Sequence, residues 1–326
     1  MTTRNVALLV LALLAACSPV NLQTDASFEA SLSDQTSPPD NAQSPSSDAS
    51  VDVSQDTSIE DAQDSGGDAS VGSGGAGGIT CQSVQMATQN GVTYRICVAT
   101  IEGIELKLIA PNADADPAPW WLALYLHGDG ARAHDNNTAP RLQAPWTSTH
   151  RALYVSARAP NRCAWWLRPG YTACDGTVAP GDIDTTGENA RAFATVISTL
   201  RARYNVRTDA TLFAGSSGGS FFLTASFLPM FGATLRGAFA LGCGAHAPWS
   251  NSLAWNGRDA ALRGPTSLYF TYGDQDEFLA DIRGGIGFYR TEGFLIDERV
   301  LAGLGHCAFD HIGRAVEVWQ QYSSTR

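Results

Sequence analysis

Between residues 18 and 80 the sequence has no Lys or Arg and very few large apolar side chains. Such a segment cannot bury enough surface to offset the entropy of ordering it, which excludes a folded domain there. No paired C-x-x-C and no H-E-x-x-H occurs, so the common zinc spacings are missing. No basic patch or nucleic-acid motif is present. Beyond residue 16 no apolar run is long enough to span a bilayer as a helix.

What is there begins with Met1-Thr2-Thr3-Arg4-Asn5 and an almost wholly apolar stretch from Val6 to Ala16. That stretch is too short for a membrane span and has the shape of a signal-peptide core. It ends Leu14-Ala15-Ala16-Cys17, which resembles the bacterial lipobox. The resemblance implies a signal peptide over residues 1–16, a lipid-modified Cys17, and export to the cell envelope. Ser18 fits delivery to the outer membrane. An ordinary secretory signal with an incidental Cys17 is the alternative. Residues 17–80 then read as the lipidated Cys followed by a flexible, self-repelling linker. The linker holds eleven carboxylates, equal to the chain's formal charge of −11. Residues 81–326 carry twenty-one acidic and twenty basic residues. The acidity therefore belongs to the linker and says nothing about the substrate.

Residues 81–326 are long enough for one α/β core. Their six cysteines form an even set, which in an exported domain argues for disulfides. Proximity in sequence favours Cys81–Cys97 and Cys163–Cys174, and elimination leaves Cys243–Cys307. Strands are expected over Val92–Ala99, Ile104–Ile109, Trp120–Leu126, Ala152–Ala157, Leu212–Ala214, Ala238–Leu241, Ser267–Tyr272 and Leu295–Leu301. Helices are expected over Gly187–Tyr204, from Ser217 to near Pro229, over Phe278–Tyr289 despite Gly284, Gly285 and Gly287, and over Ala308–Tyr322. Asp182 and Asp184 stand where they would cap the first of these. Strands alternating with helices imply a mostly parallel sheet with helices on both faces.

Gly215-Ser216-Ser217-Gly218-Gly219 fits G-x-S-x-G between an apolar run and a helix. In that context the pattern is a sharp turn that lifts the central Ser217 hydroxyl toward a substrate. A serine hydroxyl is a poor nucleophile near neutral pH and needs a base in hydrogen-bond reach, itself oriented by an acid. Gly273-Asp274-Gln275-Asp276 and Gly305-His306-Cys307 each follow a predicted strand. Both therefore reach the carboxyl edge of the sheet, where sites of open α/β sheets form.

Together with Leu126-His127-Gly128-Asp129-Gly130 and Leu200-Arg201-Ala202-Arg203-Tyr204-Asn205-Val206, these motifs resemble the polyhydroxybutyrate depolymerase and feruloyl esterase group of α/β-hydrolases. The resemblance runs from about Leu122 to His306. It implies the α/β-hydrolase fold and the chain order Ser, acid, His. Ser217 is then the nucleophile and His306 the base. Asp276, three residues after Gly273, matches the Asp of a G-x-x-D acid turn, and Asp274 is its alternative. The oxyanion donors are the N–H of Gly218 and that of Asp129, with Gly130 as the alternative to Asp129. The Asp129 side chain is expected to turn away, toward an Arg such as Arg132. His311 falls in the last predicted helix, His127 in the loop motif, and His134, His150 and His246 precede any acid-then-base order. Some relatives join the serine and histidine loops by a disulfide whose cysteines precede Ser and follow His. Here Ser216 stands before Ser217, which leaves Cys243 as the partner of Cys307.

Members of that group cleave phenolic, acetyl or hydroxyalkanoate esters of polymers without metal or organic cofactor. Trp165, Trp166, Trp249 and Trp255 either line a cleft or pack loops. The segment between the strands near Leu241 and Ser267 is too short for a large lid domain. A monomer is expected. A peptidase or thioesterase on the same fold, and a non-catalytic surface-binding lipoprotein, are the rival readings.

Overall fold

Strand residues with both faces covered read as near-continuous apolar runs. That holds for Trp121–Leu126 (β4), Ala152–Ala157 (β5) and Gly237–Gly242 (β7), in which every residue is buried. The structure is a computed structural model and describes residues 78–110, 119–174, 177–248 and 266–326. The signal segment, Cys17, the linker as far as residue 77, Trp249 and Trp255 lie outside the described residues. So does most of the segment expected to be too short for a lid.

The remaining strands are β1 (Ser83–Gln89), β2 (Val92–Ile101), β3 (Ile104–Ile109), β6 (Thr211–Ser216), β8 (Ser267–Gly273) and β9 (Leu295–Leu301). They form one sheet in the order β1-β2-β3-β5-β4-β6-β7-β8-β9. The first three pairings are antiparallel and the other five parallel. Side chains alternate across this sheet as the strand period requires. Leu122, Leu124, Leu126, Phe213 and Phe239 face one core, while Trp121, Ala123, Tyr125, Leu212 and Ala238 face the other.

The helices are α1 (Arg132–Asp135), α2 (Thr138–His150), α3 (Glu188–Arg203), α4 (Gly218–Phe222), α5 (Leu228–Phe231), α6 (Leu279–Thr291) and α7 (His311–Ser323). Phe193, Val196, Ile197 and Leu200 of α3 and Ile282, Ile286 and Tyr289 of α6 close the first core. Ala144 and Trp146 of α2 and Ile312, Ala315, Val318 and Trp319 of α7 close the second. Helices thus cover both faces.

Several expectations need correction. The third expected strand starts at Trp121, since Trp120 forms only an isolated bridge to Val206. The last helix starts at His311 because the Asp310 carboxylate accepts from Gly313 N–H and caps it there. The helix after Ser217 runs to Phe231, two residues past Pro229. It passes through a π turn at Leu223–Phe227, where the Tyr289 hydroxyl donates to the Thr224 carbonyl. Pro229 then falls in the first turn of α5, where its missing N–H is harmless. Gly285 in α6 is required, because a Cβ there would meet the His246 backbone at 2.7 Å. Asp184 caps α3 by accepting from Glu188 and Asn189 N–H, whereas Asp182 pairs with Arg168.

All three expected disulfides are present: Cys81–Cys97, Cys163–Cys174 and Cys243–Cys307. The outermost strand β9 is largely exposed. Leu295 and Val300 face solvent, and Asp297, Glu298 and Arg299 form its centre.

Candidate active site

Ser217 sits between the end of β6 and the start of α4 with φ 48° and ψ −119°. A non-glycine residue in such a region costs on the order of 1–3 kcal/mol and persists only where its surroundings over-determine it. Here Ser217 N–H donates to Gly242 O (2.9 Å), and Ser217 O accepts from Ser220 N–H (2.8 Å) and Phe221 N–H (3.0 Å). The flanking glycines are sterically obligatory. A Cβ on Gly215 would lie 2.7 Å from the backbone of Gly219 and Ser220, and one on Gly219 would lie 2.5 Å from Leu126 O.

These contacts are backbone, so no side chain can swing away. Gly219→Ala should therefore destabilise by about 1–3 kcal/mol. Gly284 lies inside α6 with no atom within 4 Å of its would-be Cβ. Gly284→Ala should instead stabilise by roughly 0.5–1 kcal/mol. Thermal melting of the two variants checks this, and a Gly219→Ala melt at or above the parent's would contradict it.

The Ser217 hydroxyl is 2.9 Å from His306 Nε2. His306 Nδ1 is 3.0 and 3.1 Å from the two carboxylate oxygens of Asp276. A carboxylate only accepts, so Nδ1 carries the proton and Nε2 is left as an acceptor for the Ser217 O–H. The Asp276 side chain is wholly buried, and one oxygen also accepts from Phe278 N–H at 2.9 Å. Asp274 does not reach the imidazole. It is exposed and accepts from Gly303 N–H at 2.7 Å, bracing the turn after β9. Phe278 meets the His306 ring edge-on at 5.0 Å and Phe221 stands against Phe278.

The loop after β4 packs directly on this turn: a Cβ on Gly128 would be 3.3 Å from the Ser217 side chain. His127 fixes the loop. Its Nε2 accepts from Ala159 N–H at 2.9 Å, so its Nδ1 carries the proton and donates to Gly128 O at 2.7 Å. Burial pushes this imidazole down to about 3, keeping it neutral. Gly130 N–H is engaged by Cys163 O at 2.8 Å, which removes it as the alternative oxyanion donor.

Asp129 behaves differently from expectation. Its carboxylate does not turn to Arg132. Both oxygens accept from the Trp166 indole N–H, at 3.1 and 3.0 Å, and one lies 1.9 Å from where a Gly218 Cβ would be. Asp129 is exposed by area, yet its carboxylate lies against Gly218 and Trp166. The lost solvation pushes its carboxyl up to about 6, against the smaller lowering effects of the Trp166 donor and the charge of His306.

The Cys243–Cys307 disulfide joins the loop after β7 to the residue following His306. Cys243, His306 and Cys307 bring potential ligand atoms within 4.8 Å of one another. The two sulfurs are bonded to each other, so no thiolate is available and the trio is not a metal site. Ser216, ahead of the nucleophile position, shares a hydrogen bond with the buried Tyr125 hydroxyl at 2.9 Å. Trp165 is fully buried against Phe193 and Phe222 and packs the core, while Trp166 is half-exposed at the site. Phe221 and Phe278 escaped the sequence reading. The only available signal was the position of Phe278 two residues after Asp276.

No family model matches the chain, and no curated protein is detectably similar to it in sequence. Solved structures do match. A thermostable esterase is 16% identical with a TM-score of 0.51, over 74% of this chain and 62% of its own, so the chain spans under two thirds of that esterase. An esterase from Pyrobaculum calidifontis is 15% identical with a TM-score of 0.48, over 71% and 85% of the two chains. An S-formylglutathione hydrolase from Agrobacterium tumefaciens is 12% identical with a TM-score of 0.46, over 74% and 99%. With its mostly parallel sheet and helices on both faces, the chain has the α/β-hydrolase fold.

Proposed function

We propose that the protein is a serine hydrolase of carboxylic esters, exported and held to the cell envelope through Cys17. The observation that carries this is the unbroken hydrogen-bond chain from Ser217 Oγ through His306 to Asp276 on a strained turn. Ser217 Oγ attacks the ester carbonyl as His306 Nε2 takes its proton. Asp276, already on Nδ1, stabilises the imidazolium that forms. The developing oxyanion is met by the N–H of Gly218 and of Asp129. His306 then gives its proton to the leaving alcohol, and water releases the acid by the same steps in reverse order.

For the substrate, the motif resemblance supports phenolic, acetyl or hydroxyalkanoate esters attached to polymers. Comparable turnover of a short aryl ester and a long-chain triglyceride would count against that. The reaction class is tested by labelling with a fluorophosphonate and mapping the modified peptide. The expected adduct is on Ser217, with none in Ser217→Ala. A folded protein that stays unlabelled, or is labelled elsewhere, overturns the proposal.

A further inference from the structure

Asp129 is an anion without a cation. Among the described residues no Arg or Lys pairs with it. Its partner is a neutral indole N–H, and the one titratable group whose charge it feels is His306. It also stands where a negative charge is least welcome, against Gly218, beside the N–H groups assigned to the oxyanion. For a neutral ester such a carboxylate opposes the transition state through simple repulsion. The opposition is lifted when the substrate itself brings a positive charge to that spot. Trp166 holds both oxygens in place and so fixes the acceptor in advance.

Resting on the esterase reading above, we infer that the site is built for esters whose acyl group carries an ammonium next to the carbonyl, and that Asp129 is the residue that reads it. An α-aminoacyl ester places its –NH3+ one carbon from the reacting centre, within the neighbourhood of Gly218 that the carboxylate occupies. The chemistry balances as in simple hydrolysis. The acyl C–O bond breaks as the bond to Ser217 Oγ forms. The serine proton passes through His306 to the departing alcohol, and water then frees the amino acid. Asp129 neither gains nor loses a proton in the cycle. Its contribution is an N–H···O contact with the ammonium that offsets its repulsion of the oxyanion.

The test compares phenyl alaninate with phenyl isobutyrate, in which a methyl group replaces the ammonium. The intrinsic reactivity of the two esters differs, so the informative quantity is how their kcat/KM ratio changes. In Asp129→Asn the alaninate-to-isobutyrate ratio should fall roughly ten- to a hundredfold, the factor carried by one charge-assisted hydrogen bond. A second arm uses the unaltered protein. Between pH 5 and 6.5 the substrate ammonium stays largely charged. The carboxyl of Asp129, with its value of about 6, ionises across that window, so the ratio should rise with pH. A ratio unchanged in Asp129→Asn, or flat over that pH range, overturns the inference while leaving the esterase reading intact if isobutyrate is still cleaved. Failure to cleave either ester, together with no fluorophosphonate adduct on Ser217, overturns both.

Discussion

Asp276→Asn should lower kcat for a simple aryl ester by about 10⁴, with KM little changed. Asp274→Asn, two residues away, should leave kcat within a few-fold of the parent. The asymmetry follows from what each carboxylate touches. Asp276 receives the His306 Nδ1 proton and is itself fully buried. An amide in its place can present its NH2 group to that nitrogen. The imidazole then carries its proton on Nε2 and can no longer accept from Ser217. Asp274 only accepts from Gly303 N–H at the surface, worth about 1 kcal/mol of stability. Steady-state kinetics of the two variants decide the matter. Equal losses, or a greater loss at Asp274, would mean that the acid has been misassigned.

The second large effect concerns the Cys243–Cys307 bond. Its partners are 64 residues apart, and closing a loop of that length removes about 4 kcal/mol of unfolded-state entropy. Replacing both cysteines by Ala should lower the melting temperature by roughly 10 °C. It should also lower kcat, since Cys307 directly follows His306 and ties the base loop to the strand end beside the nucleophile. The bond Cys81–Cys97, with a separation of 16, provides the control. Its loss should cost about 3 kcal/mol by the same reasoning. It joins Cys81, two residues ahead of β1, to β2, whose other neighbour is β3, and so should leave kcat unaltered. Melting curves and kcat measured on both double variants separate the two roles. A Cys243→Ala/Cys307→Ala protein that melts lower but turns over normally would show that the bond does not position His306.

The central strands were legible because burial on both faces leaves continuous apolar runs such as Trp121–Leu126. The elbow was legible because only glycine fits at 215 and 219, where backbone comes within 2.7 Å of a would-be Cβ. The residues that meet at Ser217 were reachable from the order of motifs along the chain. Neither β1 nor the pair α1 and α2 was legible. β1 alternates but is mostly exposed, with Val84 and Met86 on its outer side. In α2, Pro140 and Pro145 read as helix breakers. Pro140 falls in the first turn, and Pro145 lies within a helix held between β5 and α7 by Ala144 and Trp146. The environment of Asp129 was also out of reach. Its partner Trp166 arrives from a loop with no motif of its own, so the carboxylate's direction depends on a tertiary contact that sequence spacing does not encode.

The strand at the far side of the sheet has a bearing on how the molecule tolerates crowding. A flat, apolar outer strand is a template on which a neighbouring molecule can add its own strand and seed aggregation. β9 interrupts its apolar ends with Asp297-Glu298-Arg299. Glu298 is engaged by Tyr272 and Arg290, and Arg299 reaches Glu317, so these charges are anchored along the rim. A second copy docking there would have to strip water from all three. The same strand that carries the chain toward His306 thus guards the sheet against sticking to its neighbours.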